Sequence, residues 1–205
     1  MADFQIEREI IKKGFKSIAG VDEVGRGALF GPVVSSAVIF PDTAIRQDLS
    51  GWIEEINDSK LLSPNKRKRL AKAILTNAVS VGIGLSTNSE IDQKNVFWAS
   101  INAMRRAVEN LSVTPGFILV DGFSLNDVNY PQISVPKGDK KCISIAAASI
   151  VAKVLRDDMM IHLDRVYNGY ALSKNKGYGT KEHYRALTKL GPTLFHRRTF
   201  NLKHN

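Results

Sequence analysis

The stretch from residue 15 to residue 40, FKSIAGVDEVGRGALFGPVVSSAVIF, decides how the rest of the chain is read. Residues 15–24 read as a strand that stops at the turn-forming cluster Gly25-Arg26-Gly27. Residues 32–40 are mostly apolar and β-branched and read as a buried strand closed by Pro41-Asp42. Near the end of the first strand, Asp22-Glu23 interrupts an otherwise apolar run. A charged pair beside a buried strand is costly unless it is paired or bound to metal.

Working outward, strands and helices alternate. Ser63 and Pro64 are the N-cap and first residue of a helix through residues 66–77. Val79, Val81, Ile83 and Leu85 alternate with small polar residues or glycine, the period of a strand. Phe97, Ile101, Met104, Val108 and Leu111 recur at helical spacing. Residues 117–120 form a short buried strand that delivers Asp121-Gly122, and residues 130–135 a last strand. A long helix over residues 143–166 follows, then a short one over 181–190, between the cap Thr180 and the stop Gly191-Pro192. The pattern predicts an α/β fold with a mixed central sheet. One domain over residues 1–205 is expected, its sheet core at about residues 16–142 and a helical, basic C-terminal part at about 143–205.

With 205 residues, 43% hydrophobic and 24% charged, the chain can bury a real core, which excludes fibrous and disordered classes. The longest uncharged run, residues 73–89, is too polar to span a bilayer. The charged N-terminus lacks the apolar segment of a secretory signal, and Cys142 is the only cysteine, so a cytoplasmic setting is expected. The net charge of +9 is unevenly placed: residues 1–136 hold 15 basic and 15 acidic side chains, residues 137–205 hold 14 and 5. That asymmetry points to a polyanionic partner such as nucleic acid.

There is no G-x-x-x-x-G-K-[ST] phosphate loop, H-E-x-x-H, C-x-x-C or G-x-S-x-G. Gly25-x-Gly27-x-x-x-Gly31 leads into a strand rather than a helix and is no dinucleotide fingerprint. Ligands of α/β sheets gather outside the carboxyl ends of strands, where Asp22, Glu23 and Asp121 would converge. Adjacent residues share a site only where a strand twists or ends, which Gly25 allows. Three hard oxygen ligands suit Mg²⁺ or Mn²⁺ rather than zinc. Singly, each Asp reads as well as a cap or turn residue; the joint pattern makes the site. Asp139 is either a cap near Ile143 or a fourth carboxylate for a second metal. Asp58 reads as a turn residue, and Asp157-Asp158 as a solvated helix face with Arg156. Lys174, Lys176 and Tyr178, with Arg197 and Arg198, fit a phosphate-tracking loop whose ring stacks on a sugar or base; the alternative is a solvated loop with a packed ring. His183 and His196 read as structural or phosphate-contacting.

Taken in order, Gly20-Val21-Asp22-Glu23-Val24-Gly25-Arg26-Gly27, Asn57-Asp58-Ser59-Lys60, Val120-Asp121-Gly122, Lys137-Gly138-Asp139, the Ala-rich segment 144–154 and Lys176-Gly177-Tyr178-Gly179-Thr180 resemble bacterial ribonuclease HII over about residues 16–200, as does the closing segment 191–200. The resemblance implies a ribonuclease H-like fold, a five-stranded mixed sheet flanked by helices. It implies Mg²⁺- or Mn²⁺-dependent cleavage of the RNA strand of RNA/DNA hybrids. Incision 5′ to ribonucleotides embedded in duplex DNA is implied too, by two-metal phosphoryl transfer leaving 5′-phosphate and 3′-hydroxyl ends, in the service of ribonucleotide and RNA-primer removal. The family's four acidic residues fall on Asp22, Glu23, Asp121 and Asp139, its ribose-sensing motif on Gly25, Arg26 and Gly27, and its stacking tyrosine on Tyr178. Lys60 is expected among the substrate contacts, and a monomer is expected. Ala28-Leu29-Phe30 replaces a more usual Pro-Leu-Ala-like segment, and Asn175 stands where His is common. The alternative within the class is a hybrid nuclease without single-ribonucleotide incision, as in the related ribonuclease HIII, which usually carries an extra N-terminal domain; the roughly 15 residues before the first strand argue against it. A non-catalytic binding module would explain the charge but not the ordered carboxylates, which repel a polyanion unless metal is present.

Overall fold

The strands expected from residues 15–40 form as β1 (Ile18–Val24) and β2 (Val33–Ile39), an antiparallel pair. The computed structural model describes residues 2–47, 51–126 and 128–203. β3 (Ser80–Ser86) adds antiparallel to β2, while β4 (Phe117–Asp121) and β5 (Gln132–Val135) extend the other side in parallel. The sheet order is β3-β2-β1-β4-β5. The helices, in chain order, are α1 (Gln5–Lys12), α2 (Asp42–Arg46), α3 (Pro64–Asn77), α4 (Asn88–Lys94), α5 (Val96–Glu109), α6 (Ile143–Val166), α7 (Leu172–Asn175) and α8 (Lys181–Leu190). Every residue of β2 is buried because α6 packs on β1 and β2 while α5 packs on β2 and β3. No helix among the described residues is long and apolar enough to cross a membrane.

The caps read from sequence are in place: the Ser63 side chain accepts from Lys66 N, and that of Thr180 from His183 N. The alternation in β3 holds as well, but its most buried side is the small-residue side. Ser80, Gly82, Gly84 and Ser86 are buried while Leu85 is exposed. A Cβ on Gly82 would lie 2.0 Å from Ala107 O, and one on Gly84 2.1 Å from Ala103 O. Helix α5 presses so closely on that face that only backbone fits, and Val81 and Ile83 pack on the opposite face instead.

Helix α6 joins two apolar clusters. Its first half, Ile143 to Val151, lies in the main core with Ile18, Val38 and Leu119. Met160, further along, packs with Leu29, Phe30, Tyr170, Leu172 and Leu187 in a second cluster built by the end of the chain. Sequence patterning missed α1, which is short and heavily charged. Its Glu7 is fully buried and accepts from Ser144 N at 3.0 Å and Ser144 Oγ at 2.7 Å, capping α6 from outside the helix. Burial pushes its carboxyl above the usual range, against those two hydrogen bonds.

Loss of this remote cap has a definite expected cost. Glu7→Ala should lower the unfolding free energy by about 1–2 kcal/mol, and Glu7→Gln, which keeps one acceptor, by less. Urea titrations of both variants check it; equal losses would mean that Glu7 contributes through packing alone.

Candidate active site

β1 and β4 run parallel in a register that sets Val21 beside Val120, so the next residues, Asp22 and Asp121, come level at the same edge of the sheet. Glu23 follows at the end of β1. The turn of residues 138–140 brings in Asp139, and Gly138 N donates to Asp121 Oδ1 at 2.6 Å. All four carboxylates line one cleft of about 490 Å³, together with Gly25, Arg26, Gly27, Ser59, Lys60, Ser149, Lys153 and Tyr178. Gly25 has φ +97, and a Cβ there would strike the Arg156 guanidinium at 2.2 Å, so both backbone and space demand glycine.

The electrostatics of the cleft follow from crowding acids. Asp22 is 6% exposed, and burial first, then Glu23 and Asp121, push its carboxyl well above the ordinary range. Glu23 is raised by burial and by Asp121, against the pull of Arg26 3.5 Å away. Asp121 is raised chiefly by burial. Asp139 pairs with Lys60 at 3.8 Å. Burial works against the Lys60 charge, yet Asp139, Asp58, Asp22 and Asp121 together hold its pKa above the ordinary lysine value.

Among the described residues no three His, Cys, Asp or Glu side chains are gathered closely enough to chelate one ion. Each carboxylate is held by a neighbour instead. Asp22 Oδ1 accepts from Glu23 N, and Asp22 from the Ser149 hydroxyl; Arg26 and Lys60 hold Glu23 and Asp139. The donor set nevertheless fits a hard divalent cation: all ligand atoms are carboxylate oxygens, and Glu23 Oε2 is buried with no hydrogen-bond partner.

Ser149 and Lys153, one helical turn apart on α6, were not singled out by sequence reasoning, although the Ala-rich segment that carries them was. Ser59 bonds Ser149 at 2.9 Å and ties the Asn57–Lys60 turn to α6. Asp58 is a turn residue as read, accepting from Lys60 N at 3.0 Å.

Four of the expected substrate contacts lie outside the cleft lining. Lys174 is exposed beside Glu182, Lys176 folds its ammonium onto the Ser173 carbonyl, and Arg198 is exposed and bonds Thr193 O. Arg197 corrects the reading: it is fully buried, so it reaches no phosphate, and its guanidinium grips the carbonyls of Gly25, Arg26 and Gly31. Arg156 is likewise no part of a solvated face. It is fully buried and donates to the carbonyls of Phe30, Pro32 and Lys176, with the Tyr178 ring 5.5 Å away. Its neighbour Asp157 is 9% exposed and pairs with Lys153 and Arg67.

The two departures from the usual motif are structural. Asn175 is buried and donates to Tyr170 O while accepting from Gly177 N, shaping the Tyr178 loop. Ala28 and Phe30 bridge to Tyr178 and His196 respectively, tying that loop and the chain end to the turn after β1.

The histidines complete the support. Thr193 N donates to His196 Nδ1, which leaves the His196 hydrogen on Nε2, aimed at His183 Nε2 3.1 Å away. His183 Nδ1–H in turn donates to Tyr178 O at 2.9 Å. Both rings are therefore neutral in this chain of bonds.

A mixed five-stranded sheet in this order, with carboxylates at the ends of its parallel central strands, defines a nuclease of the ribonuclease H-like fold. The ribonuclease HII family model matches residues 19–203. The ribonuclease HII of Ligilactobacillus salivarius is 50% identical over 196 residues, covering 96% of this chain and 74% of that one. That of Dehalococcoides mccartyi is 46% identical over 194 residues, covering 95% and 90%. The crystal structure of the ribonuclease H2 from Pyrococcus horikoshii OT3 superposes with a TM-score of 0.73 at 26% identity, covering 91% of this chain and 94% of that one. The chain belongs to the ribonuclease HII family and is an endoribonuclease.

The histidine pair makes stability depend on pH. Burial, then His183 and Arg198, bring His196 from 6.5 to about 4, and burial lowers His183 too. Between those values the unfolded chain takes up protons that the native state refuses, so stability falls as pH drops from 6.5 towards about 4. His196→Gln should be less stable near neutrality yet lose less on acidification. Urea midpoints across that range check it; parallel pH profiles would exonerate the pair.

Proposed function

We propose that Asp22, Glu23, Asp121 and Asp139 hold divalent ions, Mg²⁺ or Mn²⁺, and that with them the protein cuts the RNA strand of RNA/DNA hybrids and incises duplex DNA 5′ to embedded ribonucleotides. The observation that carries this reading is the convergence of four carboxylates on one cleft with the Gly25-Arg26-Gly27 loop and Tyr178. Acids pushed upward in pKa by burial and by one another need a cation to be fully ionised together. Held by Asp22, Glu23, Asp121 and Asp139, such ions would supply the Lewis acidity that hydrolysis of a phosphodiester by water, with loss of the 3′-oxygen, requires.

The contribution of the chain itself is placement. Asp22 and Asp121 anchor the cluster from two paired strands, and Glu23, at the end of β1, and Asp139, in the turn of residues 138–140, complete it. Lys60 and Arg26, which otherwise neutralise Asp139 and Glu23, carry charge suited to the phosphates of the incoming strand. At a single sugar the 2′-hydroxyl alone separates RNA from DNA, and the glycines beside Arg26 let backbone approach it. Tyr178 lies between two glycines in the same cleft and offers its ring to a base or sugar. Lys174, Lys176 and Arg198 meet phosphates farther along the duplex. The protein works as a monomer in the cytoplasm, removing ribonucleotides and RNA primers.

The decisive experiment maps cuts in a DNA duplex carrying one ribonucleotide, with Mg²⁺ or Mn²⁺. A single incision 5′ to that ribonucleotide is expected. Asp22→Asn or Asp121→Asn should lower the rate at least ~10²–10³-fold. The metal-free Asp22→Asn protein should melt higher than the wild type, because one repelling charge is gone. Near wild-type turnover of either variant at saturating metal would sink the assignment.

Tyr178 is expected to serve substrate choice. Stacking is worth about 1–3 kcal/mol per base and is indifferent to sequence. Tyr178→Ala should therefore reduce kcat/KM on a single embedded ribonucleotide more than on a long hybrid, which offers many registers. Equal losses on both would show that the ring merely packs its loop.

A further inference from the structure

At its end the chain returns to the loop that follows β1. Arg197 donates from Nε to Gly31 O at 3.0 Å, from Nη1 to Arg26 O at 2.7 Å and from Nη2 to Gly25 O at 2.7 Å. Burying a guanidinium is expensive, and holding a surface loop in place does not require one. The consequence of its grip lies on the far side of the peptides it holds. No peptide bond here is cis, and in a trans peptide the C=O and N–H point in opposite directions. With the Gly25 and Arg26 oxygens drawn inward to Arg197, the N–H groups of Arg26 and Gly27 point away from the interior, on residues that line the cleft. Among the described residues neither N–H has a backbone or side-chain acceptor. A Cβ on Gly27 would meet nothing within 4 Å, so this flank of the loop is open. Successive unpaired amides of this kind form a concavity that takes an oxygen ligand.

We infer that Arg197 is a positioning residue for substrate choice: by holding two carbonyls inward it presents the N–H groups of Arg26 and Gly27 to the ribose hydroxyl, and so sets the preference for RNA over DNA. The inference rests on the ribose reading proposed for this loop. It also explains why arginine is needed. Three oxygens are held by three nitrogens of one planar fork, whereas the compact ammonium of lysine cannot hold them all in place.

The test is binding in EDTA, where no cleavage occurs and the loop reads the sugar without any metal. Fluorescence anisotropy gives Kd for a DNA duplex with one ribonucleotide and for the same duplex in DNA alone. The wild type should prefer the first. Arg197→Lys should keep the affinity for the DNA duplex and lose about tenfold in the preference. A preference kept by a folded Arg197→Lys, or equal weakening on both duplexes, would overturn the inference. If Arg197→Lys does not fold, Arg197→Ala with added methylguanidinium replaces it. The preference should return with the melting temperature as the guanidinium is refilled, and recovery of the melting temperature without the preference would refute the positioning role. Gly27→Ala separates the two layers. It has room for its methyl group, so it should fold normally yet lose the preference. If it keeps the preference, ribose reading by this loop fails, and the Arg197 inference fails with it. If Gly27→Ala loses the preference while Arg197→Lys keeps it, only the role of Arg197 falls.

Discussion

Parallel pairing of β1 with β4 is the constraint on which the rest of the molecule depends. Because Val21 sits beside Val120, Asp22 and Asp121 come level near the carboxyl ends of their strands. A slip of one residue would turn Asp22 to the opposite face and bury its charge under a helix. That register is enforced by apolar residues with no chemical role. Val21, Ile118 and Val120 pack with α5 in one cluster, while Ile18 and Leu119 pack with α6 in another.

The arrangement is electrostatically expensive, and the surroundings offset the cost locally. Glu23 leans on Arg26, Asp139 on Lys60, Asp22 on the Ser149 hydroxyl and Asp121 on Gly138 N. None of these partners brings the double charge of a divalent cation, so such an ion competes with them on favourable terms. The same cationic groups stand at the mouth where a phosphate backbone would pass. Structure and function thus share a small set of charges.

Behind the carboxylates, two buried arginines and two neutral histidines form a second frame. Arg197 holds the Gly25-Arg26-Gly27 turn, Arg156 holds the oxygens of Phe30, Pro32 and Lys176, and the His196–His183 pair ends on Tyr178 O. The two loops expected to touch nucleic acid are fixed to one another through this frame. The excess positive charge of the C-terminal third therefore divides between exposed groups such as Lys174 and Arg198 and interior groups that shape the site.

By itself the sequence determined the elements with strong local signals and the identity of the acids. Residues 143–166 and 181–190 form helices over the expected residues, the second because its Thr180 cap and Gly191 stop are local signals that agree with one another. Asp22, Glu23 and Asp121 were legible because charge at the end of a buried strand is anomalous wherever it occurs, whereas Asp139, in a turn, stood between cap and ligand until the family resemblance singled it out. Only the tertiary structure decided which face of β3 is buried, since that depends on how closely α5 approaches Gly82 and Gly84. It alone revealed Glu7 as a remote cap, a bond across 137 residues with no local trace. It alone separated Arg197 from Arg198, adjacent and chemically identical in sequence. One enters the fold because three carbonyls of a distant turn await its donors, and the other stays at the surface, where its side chain bonds only Thr193 O among the described residues.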